Sequence, residues 1–208
     1  MRVTLSSSSG ESAGVIRVRN TRPTDLPVEI LVEKRLIAED GTQTFVPADD
    51  DFIVFPPQAL IAPQSTQSIR VQYIGEPSMA ETIAYVMKVA EVPVVQEDAT
   101  GITVAYNFGV ALYIRADNPN ATLTLSSIEK TDDNKLDFAI RNSGNDYGTT
   151  VGKTVVVETA HGRKQIDLTG KGVGNPLIPP NSVRTFSLDI GELDQDINLE
   201  GELTASIR

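Results

Sequence analysis

Gly101-Ile102-Thr103-Val104-Ala105-Tyr106-Asn107-Phe108-Gly109-Val110-Ala111-Leu112-Tyr113-Ile114 runs without a single charge or proline. Ile102, Val104, Tyr106, Phe108, Val110, Leu112 and Ile114 make one row of large apolar side chains. Thr103, Ala105, Asn107, Gly109, Ala111 and Tyr113 make a second, mostly small or polar row. A strict period of two over this length is a β-strand pattern, because successive side chains of a strand point to opposite faces. An ordinary central strand is one reading. Natural edge strands usually carry Lys, Pro or a bulge that blocks unwanted pairing, and this one carries neither Lys nor Pro. At an edge, its apolar row would be offered to another chain.

The same period dominates outward from this stretch. Val15 to Arg19, Pro27 to Glu33, Ile69 to Tyr73 and Ile83 to Val89 alternate before it; Leu136 to Ile140, Thr154 to Val157 and Thr185 to Ile190 follow. Met1-Arg2-Val3-Thr4-Leu5 opens in the same manner. These short, β-branched or aromatic runs are separated by Gly, Pro, Asn and Asp clusters, the pattern of an all-β sandwich. No i, i+3, i+4, i+7 stripe is sustained, so no long helix is expected. The polar stretch Arg115-Ala116-Asp117-Asn118-Pro119-Asn120 divides the chain into 1–115 and 116–208. Each part is near the ~100 residues of an immunoglobulin-like sandwich. Eight of the 12 prolines fall in the first part, so the halves are not obvious copies.

Composition removes whole classes of function. The 208 residues are 40% hydrophobic and 22% charged, enough for a packed core. The net charge is −10, and each part holds 9 Lys/Arg against 14 Asp/Glu. An evenly acidic surface argues against nucleic acid or an anionic membrane as partner. No apolar run reaches the ~20 residues of a membrane-spanning helix, so membrane insertion is not expected. With no Cys there is no disulfide, thiolate metal site or cysteine nucleophile, and with no Trp there is no indole stacking platform. A Ser-His-Asp triad would have to use His161, and no G-x-S-x-G offers a serine beside it. Enzymatic activity is not expected. The first residues show no charged n-region followed by an apolar h-region. A cytosolic protein and a chain that begins near a mature N-terminus both remain open on that ground.

Several stretches imitate sites without meeting their requirements. Gly148-Thr149-Thr150-Val151-Gly152-Lys153-Thr154 has Tyr147 where a phosphate loop needs its first Gly, and Val155-Val156-Val157 continues as a strand instead of a helix. Asp194 to Glu200 alternates oxygen ligands but has Leu199 and Ala205 where an EF-hand needs Gly and Glu. Asp49-Asp50-Asp51 and Gly170-Lys171-Gly172-Val173-Gly174 read as solvated turns. No metal and no cofactor is expected.

The first part resembles the periplasmic chaperones of the chaperone–usher pilus pathway. The resemblance rests on Val18-Arg19-Asn20-Thr21, on Pro27 and Val28, and on Asp51-Phe52-Ile53-Val54-Phe55-Pro56-Pro57. It continues through Leu60, Pro63, Gln67, Arg70, Glu81, Tyr85 and Glu91-Val92-Pro93 to Leu112-Tyr113-Ile114-Arg115. Tyr106-Asn107-Phe108-Gly109 is more similar to the divergent, archaic-type branch. In the second part, Asn142-Ser143-Gly144-Asn145 resembles a turn of the family's second domain.

This resemblance implies two immunoglobulin-like domains in a boomerang arrangement and a periplasmic location. It also implies a non-enzymatic role: capping pilus or fimbrial subunits by donor-strand complementation and delivering them to an outer-membrane usher. Ile102, Val104, Tyr106, Phe108 and Val110 would then be the donor row, and self-association of the free protein is one way in which it could be hidden. By the same resemblance Arg2 anchors the subunit's terminal carboxylate, while Ala111 stands where the family has a second cation and Lys88 is the nearest substitute. Arg115 matches the arginine of an interdomain ionic lock with Glu81 and, from the second domain, Glu200 or Asp196, since Leu199 holds the expected place. The alternative is a tandem immunoglobulin-like adhesion or structural module of a bacterial surface.

Overall fold

A computed structural model of the chain describes residues 2–7, 12–93, 105–131, 133–159, 162–169, 173–192 and 204–208. Ile102, Val104, His161, Asp196 and Glu200 lie outside the described residues. The chain forms two units, Met1–Leu36 with Thr44–Asp117, and Ile37–Gln43 with Asn118–Arg208. The division thus falls at 117/118, and the short segment 37–43 joins the second unit.

The first unit contains β1 (Arg2–Ser6), β2 (Ala13–Arg19), β3 (Leu26–Ile37), β4 (Gln43–Pro47), β5 (Phe52–Phe55), β6 (Gln58–Ile61), β7 (Thr66–Tyr73), β8 (Ile83–Glu91) and β9 (Asn107–Arg115). One sheet has the order β1-β9-β8-β3-β4, with β6 also on β3; the other is β2-β7-β5. β7 shows how the sequence makes a sandwich: Ile69, Val71 and Tyr73 are buried while Arg70 between the first two is exposed. They pack with Ile16 and Phe52 of their own sheet and with Tyr85, Met87, Leu112 and Ile114 of the sheet opposite. Phe52 meets Tyr73 and Tyr85 edge-on, with centroids 5.4 and 4.8 Å away. Each fully buried side chain of this size contributes about 1.5–3 kcal/mol.

The second unit contains β10 (Leu123–Lys130), β11 (Lys135–Asn142), β12 (Gly148–Thr149), β13 (Thr154–Thr159), β14 (Gly162–Asp167), β15 (Leu177–Ile178), β16 (Ser182–Asp189) and β17 (Thr204–Ile207). Its sheets are β10-β11-β16 and β14-β13-β17, with a β12-β15 ribbon. Leu136, Phe138, Ile140, Val155, Val157, Ile166, Leu168, Phe186 and Leu188 form its core. Phe138 and Phe186 sit opposite each other in the ladder and stack at 5.3 Å. Gly152 takes φ +74° in the turn before β13, so the stretch that imitates a phosphate loop enters a strand and provides no helix N-terminus. Both units are immunoglobulin-like β-sandwiches, as the alternation predicts.

Candidate functional site

β9 is the strand that decides the site. It runs antiparallel to β8 from Ala90↔Asn107 to Ile83↔Ile114. On its other side it is paired in parallel with β1, but only from Arg2↔Ala111 to Ser6↔Arg115. Among the described residues, Asn107 to Val110 therefore have a strand on one side alone.

The apolar row changes character at the same place. Val110, Leu112 and Ile114 are buried in the first unit's own core, Val110 at 7% exposure. Phe108 is 61% exposed and Tyr106 51%. Val110, named for the donor row, packs in the first unit's core together with Leu112 and Ile114 of the same row. The rings of Tyr106 and Phe108 stack on each other with centroids 6.3 Å apart and planes 14° from parallel.

A polar arrangement that the sequence did not announce holds the start of this strand. The Glu91 amide donates to the Tyr106 carbonyl at 2.9 Å, and the Tyr106 amide donates to Glu91 Oε2 at 3.0 Å. Arg22 reaches the same carboxylate with both terminal nitrogens, Nη1 to Oε1 at 2.5 Å and Nη2 to Oε2 at 2.9 Å. Its guanidinium carbon lies 5.1 Å from the centre of the Tyr106 ring. The Arg22 hydrogen bonds, helped by the Tyr106 amide, hold the Glu91 carboxyl below its usual range against the opposing effect of burial. The same bonds raise the Arg22 guanidinium. Arg22, Glu91, Tyr106 and Phe108, with Val18, Leu26, Val28 and Val89 behind them, line a cleft of about 250 Å³. Glu91 was visible only as a piece of a family pattern, and Arg22, 69 residues away, had no signal at all.

The cations expected at an anchor share the outward face of the sheet. Arg2 is in register with Ala111 and lies over the Tyr113 ring at 4.4 Å. Lys88 is in register with Gly109, opposite in direction to the buried Met87, and pairs with Glu33 near the Phe45 ring. Gly109 and Ala111 form a floor of small residues between the two cations. Glu81 and Arg115 stand at the other end of the β8-β9 ladder. There the Ala116 amide donates to Thr82 Oγ1 at 3.1 Å. Among the described residues no cluster of His, Cys, Asp or Glu could hold a metal ion, and no helix is long and apolar enough to cross a membrane.

A family profile described as "Pili and flagellar-assembly chaperone, PapD N-terminal domain" matches residues 1–120. A search of curated proteins returns no match. Among solved structures, the chain is similar to a chaperone–tip adhesin complex of CFA/I fimbriae, with TM-score 0.63 and 13% identity over 99% of this chain and 95% of that one. It is similar to the CsuC–CsuE chaperone–tip adhesion subunit complex from archaic Csu pili of Acinetobacter baumannii, with TM-score 0.58 and 15% identity over 90% and 87%. A third likeness is to the Salmonella enterica SafA pilin in complex with the SafB chaperone, with TM-score 0.57 and 21% identity over 90% and 81%. At these identities the likeness establishes the fold. The family profile covers more than half of the chain. The chain belongs to the pili and flagellar-assembly chaperones, a family without enzymatic activity, and its first unit carries their PapD-type N-terminal domain.

Proposed function

We propose that this protein is a periplasmic chaperone that binds pilus or fimbrial subunits by lending them the start of β9, and passes them to an outer-membrane usher. One observation carries the reading. Among the described residues, Asn107 to Val110 present a sheet edge without a strand beside it, and the adjacent Tyr106 and Phe108 stand exposed without Lys or Pro to discourage pairing. A subunit strand added at this edge would complete the ladder while the two rings enter its core, the strand-addition mode of recognition. Burying both rings would contribute about 1.5–3 kcal/mol each before ordering costs. Ile102 and Val104 continue the same row in the sequence and are the remaining donor residues of the proposal.

The other roles follow the same reading. Arg2, with Lys88 across the floor of Gly109 and Ala111, is the proposed receptor for the subunit's terminal carboxylate; a guanidinium binds a carboxylate with two parallel bonds. Glu81, Arg115 and Glu200 are the proposed ionic lock. The similar complexes with tip adhesins and a pilin, one from an archaic system, support a subunit as partner and the archaic branch as origin.

The test compares wild type with Phe108→Asp, each expressed with a secretion signal, with co-purifying chains identified by mass. A small β-rich subunit held by wild type and lost from a folded variant is the expected result. Equal retention by the variant, or no subunit with wild type, would overturn the reading in favour of a tandem structural module.

A further inference from the structure

The start of β9 is held by side chains from two other parts of the first unit, and the second unit shows what the same turn looks like without that duty. In the first unit Asn20 Oδ1 accepts the Arg22 amide at 2.9 Å, which fixes the turn from which the Arg22 side chain reaches Glu91. In the second unit Asn142 Oδ1 accepts the Gly144 amide at 3.0 Å in the corresponding turn. There a side chain is excluded, since a Cβ on Gly144 would lie 2.1 Å from the Asn120 carbonyl oxygen. The turn itself therefore needs no arginine. Only the turn beside the exposed Tyr106 and Phe108 carries one, and it ends on a carboxylate that also accepts the Tyr106 amide.

We infer that Arg22 and Glu91 are positioning residues that clamp the start of β9, fixing its register and holding Tyr106 and Phe108 ordered for capture of a partner strand. This rests on the donor-strand reading and adds to it the device that prepares the strand. A free strand end must lose backbone freedom when it pairs, and ordering it beforehand removes that cost from binding. The clamp reaches backbone and ring together. Glu91 bonds the Tyr106 amide and carbonyl, while Arg22 bonds Glu91 and covers the ring. An ordinary surface ion pair would contribute little and could be reversed in sign without consequence. Here the carboxylate is an acceptor for an amide, a part that arginine, having only donors, cannot play.

The test uses Glu91→Ala, Glu91→Gln and the exchanged pair Arg22→Glu with Glu91→Arg, read by amide hydrogen exchange in the free protein and by subunit capture. Glu91→Ala should speed exchange of the Tyr106 amide by about tenfold or more while leaving Leu112 unchanged, because a hydrogen bond to a charged group is lost at one place. It should capture less subunit than wild type. Glu91→Gln keeps one acceptor oxygen but loses the charge and the second oxygen that Arg22 binds, so it should fall between wild type and Glu91→Ala; the exchanged pair keeps both charges and should behave like Glu91→Ala. Should Glu91→Ala loosen Leu112 as well, Arg22→Met is read in its place, with the same expected direction. Unchanged Tyr106 exchange, wild-type behaviour of the exchanged pair, or faster exchange with undiminished capture would each overturn the inference. A wild-type protein that captures no subunit sinks the donor-strand reading instead. The exchange measurement needs no subunit, and by itself then upholds or overturns the clamp.

Discussion

Asn20 and Asn142 make four matching hydrogen bonds in the two units. Asn20 Nδ2 donates to the carbonyls of Thr24, Ile61 and Ala62, at 2.8, 2.9 and 3.2 Å. Asn142 Nδ2 donates to those of Asp146, Ile178 and Pro179, at 2.8, 3.2 and 3.1 Å. In each case the acceptors are the residue four positions on and two consecutive carbonyls of a later segment. Each Oδ1 accepts the amide two residues on. Both asparagines are almost wholly buried. A shared Arg-Asn-Thr/Ser pattern, Arg19-Asn20-Thr21 and Arg141-Asn142-Ser143, thus marks equivalent turns in halves whose sequences otherwise look unrelated.

Either asparagine replaced by Ala leaves buried carbonyls without a donor, a loss of about 1–3 kcal/mol. The expected outcome is a lower denaturation midpoint with the damage confined to one unit. Amide exchange should rise around Ile69 and Val71 for Asn20→Ala, and around Ile140 and Val155 for Asn142→Ala. Asn→Asp at either position should be no better, since a carboxylate accepts and cannot donate to a carbonyl.

Arg184 is the second unit's buried cation, 2% exposed, and its partners are carbonyl oxygens. It donates to Glu39 at 2.6 Å, Asn175 at 3.0 Å and Leu177 at 3.3 Å, and lies over the Phe186 ring. Gly41, at φ +91°, passes so close that a Cβ there would be 2.4 Å from the guanidinium. Arg184→Met should cost about 1–3 kcal/mol through the bonds it abandons. Gly41→Ala should cost a similar amount from backbone strain plus overlap, about 1–3 kcal/mol. Denaturation of the single and double variants is the check. The Gly41→Ala loss should shrink in the Arg184→Met background, and full additivity would show that the two residues do not share this contact.

The period of two made β2, β3, β7, β8, β11, β13 and β16 legible, because in each an apolar row faces a core. It did not reveal β4, where every position of Gln43–Pro47 is exposed and nothing alternates. β10 escaped for a different reason: its register shifts between Leu125 and Ser127, which breaks the alternation. The apolar row that holds Phe108 was legible from the alternation, but the exposure of its ring was not, since Leu112 and Ile114 of the same row are buried. Along this one row exposure changes between Phe108 and Val110 because the core behind the sheet covers Val110 and not Phe108, and the alternation does not mark where that cover ends. Arg22 and Arg184 act through partners 69 and 145 residues away, a relationship that only the fold creates.

The proposed anchor makes a prediction specific to the partner's terminus. Arg2→Glu should weaken capture of a subunit with a free C-terminal carboxylate by about tenfold or more, the scale of a lost charge-assisted pair. It should change little for the same subunit carrying a C-terminal amide. Titration of wild type and variant with both subunit forms is the measurement. Equal weakening for both forms would assign Arg2 to folding of β1 and remove it from the anchor.

Glu91 supplies the pH dependence of the clamp. Its carboxyl is held below the usual carboxylate range mainly by the Arg22 hydrogen bonds, so the folded protein releases this proton more readily than the unfolded chain. The sign follows from linkage: the pair's contribution is fully present above the ordinary glutamate value and is lost as pH falls through the lowered folded-state value. Between neutrality and roughly pH 5 the order of Tyr106 should therefore be constant, with loosening confined to more acidic solution. Arg22→Met removes the largest cause of the shift, so the Glu91 midpoint should move upward and the loosening of Tyr106 should begin at higher pH. Side-chain carbon NMR of Glu91 and amide exchange of Tyr106, recorded across the same acid range, follow the two events separately. A midpoint that stays in place without Arg22, or a Tyr106 amide indifferent to Glu91 protonation, would separate the ion pair from the strand it is inferred to hold.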